Sequence, residues 1–195
     1  MPVSAPAILP EPTLYRFSVS DYHQMGETGV LGPDLNVELL NGHIYEMSPI
    51  GSRHAACVDR LNRIFMRAVD DHAIVRVQNP IVLPPDSEPE PDVALLKPRD
   101  DSYASRHPRP NEVLLVVEVA DSSLPFDQEV KVPLYAQVGI PEVWVVALDE
   151  DRVHAYQMPK SGSYREQTIY ERGDEMTFPL KAAPAVLAVD DVLGT

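Results

Sequence analysis

From Pro91 to Leu96 and from Val113 to Ala120 apolar residues run almost without alternation, the pattern of strands covered on both faces. Glu142 to Ala147 reads the same way, so three central strands are predicted. Between them Asp127 to Gly139 is helical in period, with Asp127 as cap and Gly139 as stop. Pro133 removes a backbone donor inside that helix and predicts a kink or delayed start close to Lys131. Upstream, Ser18-Val19-Ser20-Asp21 is a capping box opening a short helix to about Glu27, closed by Gly26 and Gly29. Val37 to Leu40, Asn41-Gly42 and His43 to Met47 form a hairpin with an Asn-Gly turn. Ser52 caps a long helix in which Val58, Leu61, Phe65 and Ala68 keep helical spacing to about Asp71. Ile74 to Gln78 and Ile81 to Leu83 are strand-like, and Pro84 to Pro91 is a loop. After a turn at Asp149-Glu150-Asp151, runs at 153–158, 164–170 and 176–180 predict an antiparallel C-terminal extension.

The sequence contains no repeat and no linker, so one α/β domain over 18–195 is expected behind a Pro-rich leader, 1–17. A length of 195 residues with 44% apolar and 24% charged residues suits one globular core. No apolar run is long enough for a membrane span, and the leader lacks a signal-peptide pattern. A soluble, cytoplasmic protein is expected. The single cysteine, Cys57, has no disulfide partner and reads as a buried helix residue.

A net charge of −14 weighs against a nucleic-acid substrate, because phosphate binding rests on Lys and Arg. The distribution softens this: residues 1–52 carry −5, 53–109 are neutral and 110–195 carry −9. Arg53, Arg60, Arg63 and Arg67 would share one helix stripe, and Lys97 and Arg99 open a basic loop continuing to Arg109. These are candidate phosphate contacts, or else solvated arginines on an exposed face.

Asp92 and Glu118 stand at the edges of two central strands, and Lys131 follows thirteen residues later. Two carboxylates and an ammonium brought together by neighbouring strands make a divalent metal site suited to water attack on a phosphodiester. Duller readings compete. Asp92 could cap a strand entry, and Lys131 could pair with Asp127 on a helix surface. Glu118 is the strongest candidate, since a charge after five apolar residues must be paired or metal-bound. Tyr135 and Trp144 read as core packing.

From about Ser18 to Leu193 the chain resembles the Uma-type restriction endonucleases, a branch of the PD-(D/E)xK nuclease superfamily. The matching pieces are Val37-Glu38-Leu39-Leu40-Asn41-Gly42, His54, Pro91-Asp92-Val93 and Val117-Glu118-Val119. To these add Lys131-Val132-Pro133-Leu134-Tyr135 and Gly139-Ile140-Pro141-Glu142-Val143-Trp144. The resemblance implies a restriction-endonuclease-like core, a mixed sheet flanked by helices, with the site where two central strands diverge. It implies Mg2+ or Mn2+ held by Asp92 and Glu118, with the Val119 carbonyl and Glu38 as further ligands, and DNA as substrate. Lys131 would orient the nucleophilic water or stabilise the transition state, and His54 would contact the phosphate or position Glu38. The usual Glu-x-Lys lysine would stand at position 120, where this chain has Ala120; Lys131 occupies the relocated position.

Three functions remain open: a metal-dependent DNA endonuclease, a silent interaction module on the same scaffold, and a hydrolase of smaller phosphate substrates. No Gly-rich phosphate cradle supports the third. A homodimer is expected by family analogy.

Overall fold

The computed structural model describes residues 13–179 and 185–194. Most of the leader and part of the run at 176–180 lie outside the described residues. Helix α1 (Val19–Glu27) opens with the expected capping box: Ser18 accepts from the Asp21 N–H, and Asp21 accepts from the Ser18 N–H. Strands β1 (Val37–Leu40) and β2 (His43–Glu46) form the hairpin. Asn41 and Gly42 both take positive φ, as the tight two-residue turn requires. Helix α2 (Ser52–Val69) is amphipathic and buries Val58, Leu61 and Phe65. Its N-cap is Gly51, not Ser52, and no side chain caps it.

The main sheet comprises β3 (Ile74–Val77), β4 (Val93–Leu96), β5 (Val113–Ala120), β6 (Glu142–Ala147), β7 (Arg152–Lys160) and β8 (Ser163–Glu171), in that spatial order. Only β5 and β6 are parallel; every other neighbouring pair is antiparallel. The expected strand at 81–83 is absent. Pro80 and Pro84 bracket it, and Leu83 instead exchanges hydrogen bonds with Ser87 across a local turn.

Side chains of the central strands alternate between two cores, which explains their continuous apolarity. On one face α2, β9 (Glu175–Phe178), β10 (Ala185–Ala188) and α5 (Val189–Leu193) pack over Val93, Leu95, Val117 and Trp144. On the other, Leu40, Ile81, Leu83 and the helical segment after β5 pack over Ala94, Val116, Ala120 and Val145.

That segment starts at α3 (Leu124–Phe126), widens into a π-turn (Asp127–Lys131) and ends as α4 (Val132–Gln137). The predicted irregularity at Lys131 is therefore this π-turn, ending two residues before Pro133. Asp127 is not a cap, because the helix has begun before it. Gly139 ends the segment at φ +79°, where a glycine stop was expected.

Candidate active site

Glu118 points from β5 into the second core, and the register explains its partner. Val93 pairs with Val117 in the antiparallel β4/β5 ladder, so Asp92 and Glu118 fall opposite each other one step beyond. Asp92 turns its Oδ2 to the Val119 N–H at 2.8 Å and to His54 Nε2 at 3.0 Å. Its Oδ1 has a long contact, 3.4 Å, from Gln78 Nε2. The carboxylate thus serves as a strand-end cap and keeps one oxygen weakly engaged.

Lys131 reaches the sheet from the π-turn. Its Nζ lies 3.4 Å from Glu118 Oε2 and 3.2 Å from Glu38 Oε1. Glu38 is fully buried on β1; its Oε2 accepts the Glu90 N–H at 3.2 Å, while among the described residues no donor aligns with Oε1 for a hydrogen bond. Tyr135 donates its hydroxyl to Glu118 Oε1 at 2.6 Å. Asp127, also buried, accepts from Ser123 Oγ at 2.6 Å.

Burial dominates the electrostatics. It pushes Glu118 up to about 8 against the pull of Lys131, with Asp127, Asp92 and Glu38 adding to the rise. Burial likewise raises Asp127, and raises Glu90 with Glu38 and Glu88 adding to it. For Lys131 burial works downward, but Glu118, Glu38 and Asp127 outweigh it, so the ammonium stays protonated. The hydrogen bond to Asp92 raises His54.

Three buried carboxylates, Glu38, Glu118 and Asp127, therefore face one buried ammonium. Among the described residues no group of three or more His, Cys, Asp or Glu side chains is disposed around a metal position. Magnesium needs fewer, since it is commonly held by one or two carboxylates and keeps several waters. Hard oxygen donors and a Glu38 Oε1 to which no described residue donates fit such a cation, which would displace the Glu118 proton on binding near neutral pH.

The geometry brings together Asp92, Glu118, Lys131, Glu38 and His54. Val119 enters through its N–H, and His54 meets Asp92, not Glu38. Of the basic candidates only Arg53, beside His54, lies near these groups, and it is already engaged. Lys97 follows the far end of β4, about 16 Å from Asp92 at roughly 3.3 Å per residue, and its Nζ is bound to the Asn111 carbonyl. Arg99 pairs with Asp101 and Ser105. Arg53 clamps Asp121, Asp149 and the Leu148 carbonyl. Arg60 holds the Val192 and Leu193 carbonyls. Exposed Arg63 and Arg67 lie about 14 and 20 Å along α2 from His54 at 1.5 Å per residue. Sequence reasoning missed Tyr135 as a partner of Glu118, and it placed the pairing of Lys131 with Asp127 on a helix surface, whereas both are buried. The spacing of four from Lys131 to Tyr135 was the available signal.

A six-stranded mixed sheet flanked by helices is a restriction-endonuclease-like architecture, and here it sets Asp92, Glu118 and Lys131 where β4 begins beside the end of β5. The chain belongs to the Uma2 family, whose model, described as "Putative restriction endonuclease", matches residues 19–188. Membership supports a nuclease function. A crystal structure described as that of "a putative nuclease belonging to DUF820" from Anabaena variabilis has the same fold, with a TM-score of 0.64 and 15% identity. The match covers 91% of this chain and 97% of that one. No curated protein matches the chain. No helix among the described residues is long and apolar enough to cross a membrane.

Proposed function

We propose that the chain is a divalent-metal-dependent endonuclease that hydrolyses phosphodiester bonds in DNA. The observation that carries this reading is the apposition of Asp92 and Glu118 across β4/β5, with the Lys131 ammonium 3.4 Å from Glu118. Restriction-endonuclease-like families generally use divalent ions, and here Asp92 and Glu118 would hold Mg2+ or Mn2+, with Glu38 and the Val119 carbonyl as supplementary oxygens. A bound ion supplies an acidified water and charge stabilisation at the phosphate. Lys131 offers a protonated amine to negative charge developing on the phosphate oxygens, in a site dry enough to strengthen that attraction. Asp92 orients His54 through Nε2, and the two are the most accessible side chains of the site, His54 at 15% and Asp92 at 14% exposure.

Residues 18–195 would act as one domain. Cutting both strands calls for two sites, so the reading includes a homodimer, and a cytoplasmic setting.

The test is nicking of supercoiled plasmid by the purified chain in Mg2+ or Mn2+, with EDTA controls. Activity is expected in the parent and absent in Asp92→Asn and Glu118→Gln. Persistence in both variants would refute the assignment.

A second reading, a silent assembly module, is favoured by one specific observation: both Glu118 oxygens already have protein partners. It predicts no heat on titration with Mg2+ and an unchanged Tm in millimolar Mg2+.

A further inference from the structure

Asp127, Lys131 and Tyr135 are buried at successive intervals of four along the helix after β5. In a regular α-helix each interval of four drifts by about 40° around the axis, so three such residues fan out. The π-turn over 127–131, closed by the i→i+5 bond from the Val132 N–H to the Asp127 carbonyl, underwinds the first interval. It thereby turns back part of the drift and keeps the three side chains in one row.

Two members of that row take the two oxygens of a single carboxylate. Tyr135 donates to Glu118 Oε1 at 2.6 Å, and Lys131 reaches Oε2 at 3.4 Å. Tyr135 is fully buried among Leu134, Ile140, Val143 and Val145. For packing alone a phenylalanine would serve, and a buried hydroxyl is costly without a partner. What the hydroxyl adds is its hold on Glu118.

We propose that Tyr135 is a positioning residue for Glu118. Its hydroxyl fixes Oε1 and the plane of the carboxylate, leaving Oε2 as the oxygen that Lys131 and a divalent cation share. This rests on the metal-site reading above. A ligand held by a neighbour's hydrogen bond is better aimed, and losing such a neighbour typically costs about 10–100-fold in metal affinity or activity.

Calorimetric titration of the full chain with Mn2+ tests it, with thermal unfolding in EDTA measured in parallel. Tyr135→Phe is expected to bind Mn2+ roughly 10–100-fold more weakly than the parent. A lowered Tm with parental Mn2+ affinity would mean a merely structural hydroxyl and overturns the proposal. A parent that binds no Mn2+ overturns the metal site itself, and this inference with it. Should Tyr135→Phe fail to fold, 4-fluorophenylalanine placed at 135 fills the volume of the hydroxyl but donates no proton to Glu118. It should weaken Mn2+ binding as Tyr135→Phe would; parental affinity would again overturn the proposal.

Discussion

Replacing Lys131 with methionine keeps much of the side chain's length and removes its charge. Glu38 and Glu118, at 0% and 2% exposure, would then share a buried space with no cation between them. Removing one partner of a buried pair costs about 3–5 kcal/mol, a large part of the roughly 5–15 kcal/mol that holds a typical domain folded. The loss depends on pH. Burial already sets Glu118 at about 8 with Lys131 present, and the ammonium lowers that value, so the variant's Glu118 titrates higher still. An acid whose folded pKa stands above its unfolded one destabilises the fold increasingly as pH rises between the two values. The lower end of the range is therefore expected near pH 6 and the upper end near pH 9. Urea unfolding in EDTA, followed by fluorescence of the single tryptophan, Trp144, reads both. Mg2+ at about 100 times its Kd would return about 2.7 kcal/mol if it binds the vacated acids. A loss under about 1 kcal/mol at both pH values would refute Lys131 as their counter-ion.

Arg60 clasps the C-terminal segment, so Arg60→Ala should cost about 1–2 kcal/mol in urea unfolding while leaving DNA affinity unchanged. Arg63→Ala and Arg67→Ala should leave stability alone and, if they meet phosphate, each lower the salt slope of DNA binding by about 1 in gel shifts. Glu112 is held at about 2, below its ordinary 4.5, chiefly by its hydrogen bonds from Arg106. Its stabilisation is present above about pH 4.5 and fades as pH falls through 2. With the pair partly exposed, Glu112→Gln should cost about 1 kcal/mol at pH 7, the gap closing towards pH 2. Gly42 sits at φ +76°, and a Cβ there would come 2.5 Å from Arg16 Cβ. Gly42→Ala should therefore lower stability by about 1–3 kcal/mol in thermal unfolding.

The elements that the sequence made legible are those whose cause is local. Ser18 and Asp21 cap a helix by themselves, Asn41-Gly42 dictates its own turn, and the unbroken runs of β4, β5 and β6 report burial on both faces. The strand expected at 81–83 failed because its backbone partners come from Ser87, Pro89 and Pro108, which no periodicity reveals. Asp92 and Glu118 were visible as acids out of place in apolar runs, but their opposition is a matter of register. The partners of the arginine stripe were hidden for a related reason. Helical spacing places Arg53 and Arg60 on one face, yet it cannot tell that the Leu148, Val192 and Leu193 carbonyls, about a hundred residues away, already hold them.

Ala120, which stands where the resemblance would place a lysine, is accounted for by the second core. It lies on the same face of β5 as Glu118, buried under the helical segment with Val132, Leu134 and Tyr135. A lysine stem at 120 would need the volume that these side chains fill. From that helical segment Lys131 and Tyr135 reach the two oxygens of Glu118 on the same face of the strand. Alanine on the strand and lysine on the helix are thus two parts of one arrangement, coupled through the π-turn that aims Lys131 inward. From the helix the Lys131 ammonium also comes within 3.2 Å of Glu38, so it ties β1 to β5.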